Sequence, residues 1–305
     1  MRLITFTVGA DPTPKLGAIV GDSVVDLVPA LVGRVDVPAR MIDFITAGPA
    51  LHASVRDALT STDSWPAGTT HDLTAVTLQA PLRPGKVIGV GLNYVEHVEE
   101  SSRSLDTAKE LPDRPVLFSK PATAIVGPDQ PIRHNAALTA QLDWECELAV
   151  VIGREAVGVP ESTALDYVFG YSIINDISAR DAQYAEMVGR LGPAKGKDFD
   201  TGNVLGPWLV TADEIPHPDR LTMIARINGE EWSRGISGDM QHSFEDILAH
   251  ISSSETLHAG EFIGSGTVGG GCGIELGRRL SPGDVIELEV EGIGVLRNRI
   301  VRRDA

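Results

Sequence analysis

The sequence predicts an α+β protein in which strands predominate, with a small N-terminal domain over residues 1–80 and a larger main domain over residues 81–305. Three observations lead to it. From about residue 85 onward short β-rich runs alternate with Gly/Pro turns, helical stretches are too few for regular βα alternation, and Pro81 and Pro84 mark a break after a polar loop. The chain has 305 residues, 42% hydrophobic and 22% charged, which is ordinary globular composition and supplies a core without a metal or disulfide staple.

In the first part Ile4, Phe6 and Val8 share one strand face, and Leu16 to Val20 is expected to meet Val24 to Leu27 across Gly21-Asp22-Ser23. Met41, Ile42, Phe44 and Ile45 recur at helical spacing before Gly48-Pro49. Leu51, Val55 and Leu59 repeat that spacing before the loop Ser61 to Thr70. In the main domain strands are expected at Lys86 to Val90, Val116 to Ser119, Glu145 to Ile152, Phe169 to Asn175, Trp208 to Thr211, Met223 to Asn228 and Val285 to Val290. Helices are expected near Val95 to Ser101, Ala179 to Val188 and Phe244 to Ser252.

Acidic residues outnumber basic ones 42 to 26, a formal charge of −16, which argues against nucleic acid and anionic membranes as partners. Cys146 and Cys272 form neither a disulfide framework nor a paired CxxC zinc site, so a reducing cytoplasm fits. No signal-peptide core and no run of eighteen apolar residues occurs, so the chain is expected to be cytoplasmic, neither exported nor membrane-spanning.

The sharpest local signal is Asp143-Trp144-Glu145-Cys146-Glu147. On a strand the three carboxylates share one face and crowd like charges, which either face solvent or hold a cation; oxygen ligands select Mg²⁺, Mn²⁺ or Ca²⁺ over zinc. The apolar strand Gly170 to Asn175 ends at Asp176, just before Ser178-Ala179-Arg180, so Asp176 either supplies a third oxygen ligand or caps the helix. His97 and Glu100, three apart on a helix, either form a water-activating dyad or sit on the surface, and Gly89 and Gly91 suggest a hinged segment before them. Lys195-Gly196-Lys197-Asp198 brings lysines that could stabilise an oxyanion or simply be solvated. Gly264-Ser265-Gly266-Thr267-Val268-Gly269 matches GxGxxG formally, but more glycines and Cys272 follow where a nucleotide-binding helix should start, so close backbone approach to a ligand is the better reading.

In this order, these segments resemble the fumarylacetoacetate hydrolase family from Gly85 to about Val301. They are joined by Phe118-Ser119-Lys120-Pro121, Gly206-Pro207-Trp208, Pro282-Gly283-Asp284 and Glu291-Gly292-Ile293-Gly294. The resemblance implies a β-sandwich roll as main domain, a homodimer and a divalent metal, commonly Mg²⁺. It further implies that Glu145, Glu147 and Asp176 are metal ligands, His97 and Glu100 the water-activating dyad, Lys197 the active-site lysine, and Arg180, Gln183 and Thr267 substrate contacts. Asp143 belongs to the motif without being a ligand. Two departures stand out: residues 86–96 lack the extra aspartate of the eukaryotic fumarylacetoacetase, which places the chain with the shorter microbial members. In addition, Gly266 to Gly273 replaces the common Gly-Thr-Pro-x-Gly-Val-Gly.

The function expected from this resemblance is hydrolysis of a carbon–carbon bond in an acylpyruvate or related 1,3-dioxo acid, with a small 2-oxo acid as substrate. Decarboxylation, tautomerisation or dehydration of a 2-oxo acid at the same site is the alternative. A non-catalytic, Ca²⁺-stabilised protein would need the carboxylates but not His97, Glu100 and Lys197. The polar stretch within Tyr94 to Leu111 is expected to act as a lid.

Overall fold

The computed structural model describes residues 1–62, 64–94 and 113–303. Its strands, in chain order, are β1 (Arg2–Val8), β2 (Asp11–Val20), β3 (Ser23–Asp26), β4 (Thr70–Asp72), β5 (Val76–Leu78), β6 (Val87–Gly91), β7 (Val116–Lys120), β8 (Ile125–Val126), β9 (Ile132–His134) and β10 (Leu142–Asp143). There follow β11 (Cys146–Ile152), β12 (Val168–Asp176), β13 (Ser178–Ala179), β14 (Asn203–Thr211), β15 (Thr222–Ile227), β16 (Glu230–Ile236), β17 (Phe262–Gly264), β18 (Val285–Val290) and β19 (Gly294–Arg302).

Every residue of β11 and β12 is buried, as their near-continuous apolar sequences require of strands covered on both faces. These two strands lie inside a twelve-stranded sheet of order β4-β3-β2-β1-β14-β12-β11-β17-β6-β7, with β5 on β1 and β8 on β14. Side-chain alternation sorts each strand between two cores. Ala149 and Val151 point to one side, where Phe44 and Val55 of the helices Met41–Thr46 and Pro49–Ser61 pack with Leu205 and Leu209. Leu148 and Val150 point to the other side and meet Ala225, Ile227, Leu288 and Val290 of a second sheet, five-stranded and ordered β16-β15-β18-β19-β9. Two stacked sheets with helices over the outer face make the protein mixed α and β, with strands predominating.

The hairpin expected near the N-terminus forms, but its turn is tighter: Val20 pairs directly with Ser23, leaving Gly21 and Asp22 as a two-residue loop with Gly21 at φ +59°. The helix at Phe244–Ser252 matches its expected bounds and is closed by a capping box, in which Ser243 and Asp246 exchange side-chain and backbone bonds. The strand expected at Trp208 begins at Asn203, and β16 and β19 were not foreseen. In β19 the inward positions Leu296, Asn298 and Ile300 alternate with exposed Arg297 and Arg299, and the buried Asn298 interrupts the apolar pattern. Leu3 of β1 pairs with Ala18 on one side and Leu209 on the other, so the N-terminal strands extend the sheet that carries the acidic motif. The helix expected at Val95 to Ser101 lies outside the described residues. Among those described, no helix is long and apolar enough to cross a membrane.

Candidate active site

The acidic motif does not form one uninterrupted strand. Asp143 ends β10, β11 begins only at Cys146, and Glu145 sits between them in an isolated bridge to Cys272. This break corrects the expectation that three carboxylates share one face, because Asp143 turns away to Arg180 while Glu145 and Glu147 stay together. Asp176 reaches them from the end of β12, the neighbour of β11 in register Glu147↔Ile174. Ligand oxygens of Glu145, Glu147 and Asp176 all lie within 4.8 Å of one another, on residues 6%, 1% and 1% exposed.

Among the described residues, three buried cations surround this triad. Lys197 Nζ lies 2.8 Å from Glu145 Oε2 and donates to Asp176 Oδ2 at 2.9 Å. Lys120 Nζ, at the end of β7, donates to Asp176 Oδ1 and, at 3.3 Å, to the Gly202 carbonyl. Arg180 Nη1 lies 2.7 Å from Glu145 Oε1, and its Nε donates to Asp143 Oδ2 at 2.7 Å. With Asp143 included, four buried carboxylates face three buried cations among the described residues.

Among the described residues Glu147 is the one of the four that no cation pairs with. Its Oε1 is buried with no hydrogen-bond partner among the described residues, and burial, reinforced by Asp176 and Glu145, holds its carboxyl well above the usual range. Burial opposes the charge of Lys197, yet Asp176 and Glu145 outweigh it and raise the pKa. At Lys120 burial prevails and the pKa falls. Three converging carboxylates, one with an orphaned oxygen, fit a hard divalent cation with oxygen ligands, Mg²⁺, Mn²⁺ or Ca²⁺.

Local sequence explains how the lysines arrive there. Gly196 separates Lys195 from Lys197 in the helix Ala194–Lys197, and a Cβ on it would lie 2.5 Å from Gln183 Cβ. Only glycine lets this helix press on the helix Arg180–Met187, which carries Lys197 inward. Lys197 also stands over the Phe118 ring at 5.4 Å, and Phe118 in turn occupies the space a Cβ on Gly89 would need. Gly89 therefore serves the packing of β6; Gly91 closes that strand, neither glycine has positive φ, and the segment they were expected to hinge lies outside the described residues.

Gly264 is likewise forced: a Cβ there would collide with the Glu147 carboxylate. Gly264→Ala is expected to destabilise the protein by about 1–3 kcal/mol through overpacking and to weaken cation binding, read from the denaturant midpoint and a Mn²⁺ titration.

Of the residues implied as substrate contacts, Gln183 Oε1 accepts from Arg180 Nη1 at 3.1 Å, while Arg180 Nη2 and Thr267 Oγ1 are buried without a hydrogen-bond partner among the described residues. His97 and Glu100 lie outside the described residues. The chain enters that segment from a fixed point: Asn93 donates to the carbonyls of Ser265 at 2.8 Å and His242 at 3.0 Å. Lys120 is the site residue that reasoning on candidate residues missed. Its signal was the segment Phe118-Ser119-Lys120-Pro121, a lysine closing a strand just before a proline.

Residues 86–301 match the family described as Fumarylacetoacetate (FAA) hydrolase C-terminal. The chain belongs to the fumarylacetoacetate hydrolase family. It is 33% identical to the mitochondrial oxaloacetate tautomerase fahd2 of Xenopus laevis over 99% of this chain and 90% of that one. Among solved structures it resembles the fumarylacetoacetate hydrolase of psychrophilic Exiguobacterium antarcticum, with TM-score 0.78, 32% identity, and 99% and 100% of the two chains covered. It also resembles the maleylpyruvate hydrolase of Sphingobium sp. SYK-6 in complex with manganese(II) and pyruvate, with TM-score 0.77, 27% identity, and 100% of each chain covered. The fumarylacetoacetate hydrolase family thus includes enzymes named for hydrolysis and for tautomerisation.

Proposed function

We propose that the protein is a divalent-cation-dependent enzyme of 2-oxo acids, and that it interconverts the keto and enol forms of a substrate of the oxaloacetate type. The observation that carries this reading is the buried triad Glu145, Glu147 and Asp176 flanked by two lysines. When bound there, a divalent cation such as Mg²⁺ or Mn²⁺ supplies Lewis-acid charge to the 2-oxo carboxylate. Lys197 provides N–H donors for the 2-oxo oxygen, where negative charge gathers as the adjacent C–H bond breaks and the O–H bond of the enol forms. Lys120 ties Asp176 to the Gly202 carbonyl and so holds that carboxylate in place. Burial of the whole group excludes water and strengthens each of these interactions. The resemblance to a tautomerase over nearly the full chain supports the choice of reaction.

Hydrolysis of an acylpyruvate is the second reading. It is favoured by the His97–Glu100 spacing, which suits water activation, and by likeness to a maleylpyruvate hydrolase that holds pyruvate. The two separate on one pair of assays. Mg²⁺-loaded protein is expected to speed ketonisation of enol-oxaloacetate, followed by ultraviolet absorbance, to lose that activity with EDTA and to regain it with Mg²⁺ or Mn²⁺. His97→Ala should leave most of it. Acylpyruvates would instead yield pyruvate and a carboxylic acid by NMR if the chain is a hydrolase, and His97→Ala or Glu100→Ala would then lower kcat by roughly 10²-fold or more. Ketonisation no faster than with Mg²⁺ alone would refute the tautomerase reading.

A further inference from the structure

Asp143 belongs to the acidic motif but stands apart from the cation triad, and its carboxylate accepts four hydrogen bonds among the described residues. Its Oδ1 accepts from the backbone N–H of Gly273 at 2.7 Å and of Trp144 at 2.9 Å; its Oδ2 accepts from Arg180 Nε at 2.7 Å and Ile274 N–H at 3.2 Å. Gly273 has no room for a side chain, since a Cβ would lie 2.6 Å from Asp143 Oδ1. The carboxylate is thus wedged between β10, the end of the glycine-rich loop and the helix that starts at Arg180.

Arg180 is shared. Its Nε goes to Asp143, its Nη1 to Glu145 at 2.7 Å and to Gln183 at 3.1 Å, and the guanidinium is 4% exposed. Asp143 and Glu145 therefore compete for one buried positive charge. A guanidinium satisfied by Asp143 neutralises Glu145 only in part, whereas one deprived of Asp143 has Glu145 as its nearest remaining carboxylate. The same Glu145 oxygens are the ones a cation would need.

We propose that Asp143 is a positioning residue that shares Arg180 with Glu145, so that Arg180, although 2.7 Å from Glu145 Oε1, neutralises that carboxylate only in part and leaves it charge for a divalent cation. The inference rests on the reading of Glu145, Glu147 and Asp176 as the cation site.

Titration of the full-length protein with Mn²⁺, followed by electron paramagnetic resonance of the free ion, tests it without recourse to turnover. Asp143→Asn is expected to weaken Mn²⁺ binding by about tenfold or more, in the range found for groups that act behind a metal ligand. Arg180→Met should tighten it by about threefold or more, because Glu145 loses its competitor. The Asp143→Asn/Arg180→Met double variant should return to within about threefold of the wild type, a strongly non-additive cycle. A purely architectural Asp143 would give a double variant at least as weak as Asp143→Asn. That result, or weaker binding in Arg180→Met, would overturn the proposal. If Asp143→Asn fails to fold, Arg180→Met and the double variant still decide, since the first must bind Mn²⁺ more tightly than the wild type and the second within about threefold of it. A wild-type protein that binds no Mn²⁺ would remove the cation site itself, and that outcome is distinct from failure of the Asp143 argument.

Discussion

Glu147→Gln is expected to abolish cation binding and lower turnover by at least about 10³-fold while making the metal-free protein more stable. Glu147 is 1% exposed, its Oε1 has no hydrogen-bond partner among the described residues, and the nearby carboxylates of Asp176 and Glu145 add to the cost of ionising it. Glutamine has the same shape without the charge. Loss of one of three ligands removes several kcal/mol of charge stabilisation, about tenfold in rate for each 1.4 kcal/mol. Relief of an uncompensated buried charge should add about 1–3 kcal/mol to the stability of the metal-free form. Thermal denaturation with and without Mg²⁺ reads both effects: the wild type should gain stability on adding the ion and the variant should not. A variant that still responds to Mg²⁺ would show that the ion binds elsewhere.

Lys197→Met is expected to have the opposite effect on stability. Lys197 Nζ bridges Glu145 and Asp176, and removing it leaves two buried carboxylates with one cation fewer. Breaking such a buried pair costs about 3–5 kcal/mol, so the metal-free protein should unfold at markedly lower denaturant. Mg²⁺ should restore much of that loss, because the ion now supplies the missing positive charge. Turnover should nevertheless fall by about 10²-fold with metal saturating, since the donor to the substrate oxygen is gone. A Lys197→Met enzyme that is fully active once loaded with Mg²⁺ would confine Lys197 to charge balance. Read together, the two variants separate a group that binds the ion from one that substitutes for it in the metal-free protein.

Much of the chemistry was legible in the residues themselves. The alternation in Asp143 to Glu147 and the Asn-Asp ending of an apolar strand marked Asp143, Glu145, Glu147 and Asp176 as an acidic cluster, because like charges beside a long apolar run demand a partner wherever the strand is buried; only the family resemblance set Asp143 apart from the other three. The helix Phe244–Ser252 was readable for a similar local reason, as its cap and its apolar period lie within ten residues. The sequence by itself thus determined the strand-dominated class, the acidic cluster and the lysine beside Gly196. Only the tertiary structure decided which charges pair. Lys120 is distant from Asp176 in the chain and meets it where the end of β7 comes beside β14, since Asn203, the register partner of Asp176, donates to the Pro121 carbonyl. Asp143 left its two companions because a break at Trp144 turned it toward Arg180, and no side-chain period records such a break. The glycines followed the same rule: Gly89, Gly196 and Gly264 are small because of residues that pack on them from other elements, Phe118, Gln183 and Glu147. Periodicity reports which face of an element is buried. Charge pairing and close approach depend on what the opposite face brings, and that is settled only when distant segments meet.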